Sequence, residues 1–199
     1  MILFQRHDCP FCWKIRLVLA EAKVECSLES QQDAALYSPQ ASVPVLLDGE
    51  FAIWDSSVIA EFIADLSPQA KLMGEAPNAR ARIRLMHTYS DRIAGLGLRD
   101  VIFERCSKSL AEQDKQRIEQ GSQQWGKTLD WLEANYGKGS YMVGDAFSLA
   151  DCALIPRLSL AGAYGLPLDS TRHPKLADWL ERMRKRPSYD ASKPSIAGI

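Results

Sequence analysis

Cys9-Pro10-Phe11-Cys12 sets two thiols three positions apart, one helical turn if the segment is helical. A cysteine in its thiolate form is a nucleophile and a metal ligand, so such a pair points either to thiol–disulfide exchange or to half of a metal site. Zinc is not expected. No second Cys pair follows, and His7 with Cys26 does not make a familiar ligand spacing. Two buried structural cysteines would be the plainer reading, because free cysteine packs well in cores. What surrounds the pair argues for chemistry instead. Ile2-Leu3-Phe4-Gln5 reads as a short apolar strand, and Phe11, Ile15, Val18 and Leu19 recur at helical spacing. Pro10 suits the first helical position, where its missing N–H costs nothing, which leaves Cys9 at the N-cap. There the free backbone N–H groups and the positive end of the helix dipole favour a thiolate, and an ordinary thiol pKa of about 8.5 falls to roughly 3.5–7.5 at such positions. His7 and Asp8 flank the pair, either tuning Cys9 or forming a solvated couple.

The elements that must hold this turn follow from pattern. After the first helix, residues 23–28 alternate Val24, Cys26 and Leu28 on one side, predicting a second strand with Cys26 in the core. Residues 31–41 predict a loop or short irregular helix. Val43-Pro44-Val45-Leu46-Leu47, then Asp48-Gly49, then Phe51-Ala52-Ile53-Trp54 predict a hairpin, since Asp-Gly supplies the positive φ angles of a tight turn. Asp55-Ser56-Ser57 caps a helix with Val58, Ile59, Phe62, Ile63 and Leu66 on its core face. The order β-α-β-loop-β-β-α is a thioredoxin-like arrangement, with strands joined through a helix parallel and the hairpin antiparallel.

Pro68, Gly74 and Pro77 mark a linker over 69–77, dividing the chain into an α/β domain at 1–68 and an all-α domain at 78–199. In the latter, 79–105 predicts a helix with Ile83, Met86, Tyr89, Ile93 and Leu96 inward, loosened at Gly95 and Gly97. A second helix is predicted over 111–136. A third opens at Ser148, where Ser148 and Asp151 have capping-box spacing, Phe147 can staple onto Cys152, and Pro156 should kink the helix. A last helix covers 174–186, and the tail from Pro187 is expected to be loosely held.

Composition bounds the function. The 199 residues are 46% hydrophobic and 25% charged with a formal net charge of −1, which gives no electrostatic footprint for nucleic acid. No apolar run is long enough for a membrane span, and the chain opens on a strand rather than a basic and apolar signal segment, so neither membrane insertion nor secretion is expected. Five cysteines without a disulfide-framework spacing fit a reducing cytoplasm.

With Cys9-Pro10-Phe11-Cys12, Val43-Pro44, Asp55-Ser56 and Phe147-Ser148-Leu149-Ala150-Asp151 in view, essentially the whole chain resembles the cytosolic glutathione S-transferase superfamily. The resemblance implies a thioredoxin-like domain followed by an all-helical one, glutathione as co-substrate, no metal, and a homodimer. It implies a cis peptide before Pro44, with the backbone of Val43 pairing with the cysteinyl part of glutathione. Asp55 and Ser56 occupy the places that hold the glutamyl end, a helix N-terminus for the carboxylate and an acid for the ammonium. Phe11 belongs with them, and also with Tyr89, Arg92 and Ile93 as walls of an acceptor pocket between the domains. Two departures stand out. Asp55 is one methylene shorter than the usual glutamate, and no basic residue stands near Gln31 and Gln32 for the glycine carboxylate.

Members with tyrosine or serine at the first helix conjugate glutathione to electrophiles, whereas cysteine-type members resemble glutaredoxins. The resemblance therefore implies attack by Cys9 on a mixed disulfide, with release by a second glutathione or by Cys12. Conjugation to a small electrophile is the alternative. Val18-Leu19-Ala20-Glu21, Arg84-Leu85-Met86-His87 and residues 147–152 also resemble the stringent starvation proteins, which keep the fold, lack the cysteine pair and bind RNA polymerase.

Overall fold

The computed structural model describes residues 1–197 and 199. Strands β1 (Ile2–Gln5), β2 (Ser27–Ser30), β3 (Val45–Asp48) and β4 (Phe51–Trp54) form one sheet in the order β2-β1-β3-β4. Helix α1 (Pro10–Ala22) joins β1 to its parallel neighbour β2, and α2 (Ser56–Leu66) follows the antiparallel pair β3 and β4. Register decides what these strands deliver. Gln5 pairs with Ser30, Phe4 with Val45, and Val45 with Trp54. The Cys9 turn, Gln31, Val43-Pro44 and Asp55-Ser56 therefore all leave the sheet along a single edge.

Two expectations about this half need correction. The second strand starts at Ser27, four residues later than predicted, and all of β2 is exposed. Lys23 takes a left-handed conformation (φ 54°) and Val24 N donates to Leu19 O, so residues 24–26 serve to turn the chain off α1. Cys26 is half-buried and Leu28 lies in solvent, because an edge strand has a neighbour on one side only. On α2, Val58 and Leu66 are exposed, and the buried stripe is Ser56, Ile59, Ala60, Ile63 and Ala64. The small alanines let α2 lie close against its neighbours.

Beyond residues 67–76, where Leu72 and Met73 are buried and Leu72 O accepts from Leu149 N at 3.0 Å, come helices α3 (Pro77–Tyr89), α4 (Gly95–Ser107), α5 (Lys115–Asn135), α6 (Leu149–Ala163), α7 (Pro174–Arg184) and α8 (Pro187–Ser192). A π-helical segment, Ser90–Ala94, joins α3 to α4. A π turn takes an extra residue, so the inward face shifts across it. Ile83 stays buried, but Ile93 and Leu96 face outward and Ala94, Leu98 and Val101 turn in.

Helix α6 runs down the centre, buried from Leu149 to Ala161 and continuing through Pro156. Its capping box is present, and Asp151 accepts from Met142 N, Ser148 N, Ser148 Oγ and Trp179 Nε1 at 2.9–3.1 Å. Against the expectation of a loosely held tail, residues Pro187–Ser192 form a packed helix. Trp13 Nε1 donates to Ser192 Oγ at 3.1 Å, Arg16 Nε donates to Ser192 O at 2.9 Å, and Tyr189 is buried, so α8 clamps onto α1.

Candidate active site at the Cys9 turn

Arg16 holds the turn in shape. Besides Ser192 O it donates to Gln5 Oε1 at 2.5 Å and to His7 O at 2.9 Å, bracing the loop between β1 and α1. Cys9 N donates to Arg6 O at 3.2 Å, Trp13 N donates to Cys9 O at 2.9 Å, and Cys9 is the N-cap of α1 with Pro10 behind it. Asp8 pairs with Arg6 at 2.6 Å, and His7 Nε2 accepts from Ser195 N at 2.9 Å. The flanking residues thus bind the loop and the C-terminus, not each other.

The two thiols differ in kind. Hydrogen bonding from Cys12, helped by the amides of Cys12 and Phe11 and by the Arg6 charge, lowers the Cys9 pKa to about 6 against the opposing effect of burial. The same hydrogen bond, with burial, pushes Cys12 up. Cys12 is fully buried, and its Sγ accepts from Arg6 N at 3.5 Å. Cys9 is 6% exposed and opens onto a cleft. The thiol at the cleft is thus the more acidic of the two, and the thiol behind it the less acidic.

The cleft, about 710 Å³, lies between the sheet domain and the helical domain. Cys9 and Phe11 come from α1, Ile102 and Phe103 from α4, and Arg157 and Leu160 from α6. Tyr89, Arg92 and Ile93 do not line it. Tyr89 stacks on Trp131 at 4.1 Å, and Arg92 and Ile93 point to solvent because of the π turn. An open groove of similar volume, about 740 Å³, lies along α5 among Lys115, Glu119, Gln123 and Lys127, with no cysteine in its walls.

Along the sheet edge, the Val43–Pro44 peptide is cis. Asp55 caps α2, its carboxylate accepting from Ser57 N at 2.7 Å, at φ 71° and ψ 119°. Backbone in so sparsely populated a region costs on the order of 1–3 kcal/mol and persists where surrounding structure imposes it, often at ligand sites. Ser56 is buried at the first turn. Gln31 and Gln32 stand exposed at the end of β2.

A buried charge cluster joins the two halves. Lys14 Nζ lies 2.6 Å from Asp91 Oδ2 and 2.7 Å from His87 Nε2, Ser57 Oγ donates to Asp91 Oδ2 at 3.2 Å, and Arg157 stands 3.7 Å from Asp91 Oδ1. Burial and then the Lys14 charge lower His87 to about 4. Burial would raise Asp91, but Lys14, His87 and Arg157 hold it below the usual range. Sequence reasoning overlooked Lys14, His87, Asp91 and Arg157. A signal was available, since Lys14 and Arg157 are charges set inside apolar helical runs, and such charges are paired or put to use.

A thioredoxin-like sheet packed under a helical bundle, with a cleft between them, is the architecture of a two-domain transferase fold. Residues 8–66 match the glutathione S-transferase N-terminal domain, and residues 85–187 match the glutathione S-transferase C-terminal domain. The chain belongs to the glutathione S-transferase family. It is 25% identical over 185 residues to a stringent starvation protein A homolog of Coxiella burnetii, covering 90% of this chain and 84% of that one. It is 22% identical over 197 residues to the glutathione S-transferase GstB of Escherichia coli K12, covering 94% of each. The fold matches that of the theta class glutathione S-transferase of Xanthomonas axonopodis pv. citri, solved with glutathione bound, at a TM-score of 0.83 and 24% identity over 96% of this chain and 95% of that one.

Proposed function

We propose that the protein transfers glutathione between thiols through Cys9. The Cys9 thiolate attacks the glutathione sulfur of a mixed disulfide, RS–SG, forming Cys9–SG and releasing RS⁻, which takes up a proton. A second glutathione thiolate then attacks Cys9–SG, giving oxidised glutathione and the free Cys9 thiolate. The sum exchanges one disulfide, RS–SG, for another, oxidised glutathione, at the expense of a single glutathione thiol. The observation that carries this reading is the contrast between Cys9, lowered to about 6 at the cleft, and Cys12, fully buried behind it. Burial of Cys12 favours release by a second glutathione over resolution by Cys12. Glutathione lies along the sheet edge in this reading, its cysteinyl backbone on Val43 before Pro44, its glutamyl end on Asp55 and Ser56, and Phe11 beside it. Conjugation through a hydroxyl-activated thiol is less well supported, because Cys9 itself stands at the first-helix position.

The test is alkylation rate against pH for the wild type and Cys9→Ser, with mass spectrometry after exposure to oxidised glutathione. A Cys9-dependent midpoint near 6 and a glutathione adduct on Cys9 support thiol transfer. An unreactive Cys9 with no adduct overturns it and favours a second reading, a partner-binding protein, to which the relatives named stringent starvation protein A homolog give weight.

A further inference from the structure

Arg157 is 6% exposed, yet among the described residues its guanidinium holds no carboxylate within hydrogen-bond distance. The nearest carboxylate oxygen, on Asp91, is 3.7 Å away, and Asp91 is already engaged by Lys14 and Ser57. The guanidinium lies 4.4 Å from the Phe11 ring centroid and opens onto the same cleft as Cys9. Its seat is shaped to it. A Cβ at Gly95 would come within 3.2 Å of the guanidinium carbon, so the glycine leaves the guanidinium room that a larger residue would crowd. Of the other cationic side chains of the cleft, Arg6 pairs with Asp8 at 2.6 Å, and Arg99, 73% exposed and 3.8 Å from Asp100, is solvated where Arg157 is buried. A buried guanidinium with free N–H groups, fixed against an aromatic face, is built to take a planar anion in bidentate fashion. Around it Ile102, Phe103 and Leu160 offer apolar walls.

We propose that the cleft selects acceptors carrying a carboxylate on an apolar or aromatic body, with the carboxylate on Arg157 and the body against Ile102, Phe103 and Leu160. This names the substrate class of the thiol-transfer reading and rests on it for chemistry, but the binding step needs neither Cys9 nor glutathione.

The experiment therefore begins with binding. 2-Naphthoate and its uncharged isostere 2-naphthamide are titrated calorimetrically into the wild type and Cys9→Ser at pH 7, without glutathione. Naphthoate is expected to bind at least about tenfold tighter in both proteins, the scale of a charge-assisted hydrogen bond. That preference should vanish in Arg157→Gln and shrink in Arg157→Lys, which keeps a charge beside Asp91 but loses the fork. Equal binding of the pair to the wild type overturns the proposal, as does an unchanged preference in either variant. If Arg157→Gln fails to fold, the ligand pair on the wild type and on Arg157→Lys still decides. Turnover of the glutathione mixed disulfides of 4-mercaptobenzoate and 4-mercaptobenzamide then reads the same preference in kcat/KM. Naphthoate selectivity with no turnover of either disulfide sinks the thiol-transfer reading and leaves the anion site standing.

Discussion

Lys14 Nζ stands 2.6 Å from Asp91 Oδ2, and this contact ties the first helix of the sheet domain to the π segment of the helical domain. Lys14 is buried and Asp91 only 14% exposed, and the same oxygen of Asp91 also accepts from Ser57 at the first turn of α2. The Cys9 turn, the α2 N-terminus and the cleft wall are therefore locked together through one carboxylate. Removing one member of a buried pair strands the other, at a cost of about 3–5 kcal/mol. Lys14→Met should lose that much in urea unfolding, and Lys14→Met with Asp91→Asn should lose clearly less than the sum of the single changes.

His87 gives the cluster a pH dependence. Its folded value of about 4 lies below its ordinary 6.5, so the unfolded chain binds the proton more readily. Stability from this source is complete above about pH 6.5 and is lost as pH falls toward 4, to a maximum of about 3 kcal/mol. Asp91, also held low, adds loss in the same direction at lower pH. Urea unfolding at pH 7 and pH 4.5 should show a drop in the wild type and a smaller one in His87→Gln. Equal drops would place the acid sensitivity elsewhere.

Cys12 is the neighbour that does most to lower Cys9. In Cys12→Ala the midpoint of Cys9 alkylation should rise from about 6 by roughly one pH unit or more, while Cys9 remains alkylatable. An unmoved midpoint would assign the lowering to the α1 amides and Arg6 alone.

Helices α4 and α5 touch through glycines. A Cβ on Gly97 would lie 2.6 Å from Gly121 O, and one on Gly121 would lie 2.8 Å from both Gly97 O and Val101 Cγ2. Backbone cannot yield as a side-chain tip can, so Gly97→Ala and Gly121→Ala should each cost about 1–3 kcal/mol or more. Gly126, on the open side of α5 with nothing within 4 Å of a Cβ, should gain roughly 0.5–1 kcal/mol on replacement by alanine. Thermal unfolding of the three variants separates the two cases.

Asp151 accepts four hydrogen bonds in the core. Asp151→Ala leaves those donors unpaired and should lower stability by about 3–5 kcal/mol, a fall in Tm of roughly 10 °C for a chain of this length. Asp151→Asn, which keeps one acceptor oxygen, should fall between.

The position of Cys9 at the start of α1 was legible from local chemistry. Pro10 behind Cys9 and apolar spacing from Phe11 to Leu19 define an N-cap, and the N-cap lowers a thiol whatever lies across the cleft. The hairpin at Asp48-Gly49, the caps at Asp55 and Ser148, and the order of strands and helices were equally local, set by turn chemistry and by period. Only the tertiary structure decided which residues faced the cleft. The π turn at Ser90–Ala94 left Ile93 outside the cleft and Leu96 on its wall, and α8 closed over α1 through Ser192 and Tyr189, neither of which a regular helical period contains. Phe11, Gly95, Asp91 and Arg157 lie far apart in sequence, and what each does depends on how α1, α4 and α6 pack. A guanidinium becomes an anion site when its neighbours bury it and its nearest carboxylate is spent elsewhere, and both conditions are properties of the packed core.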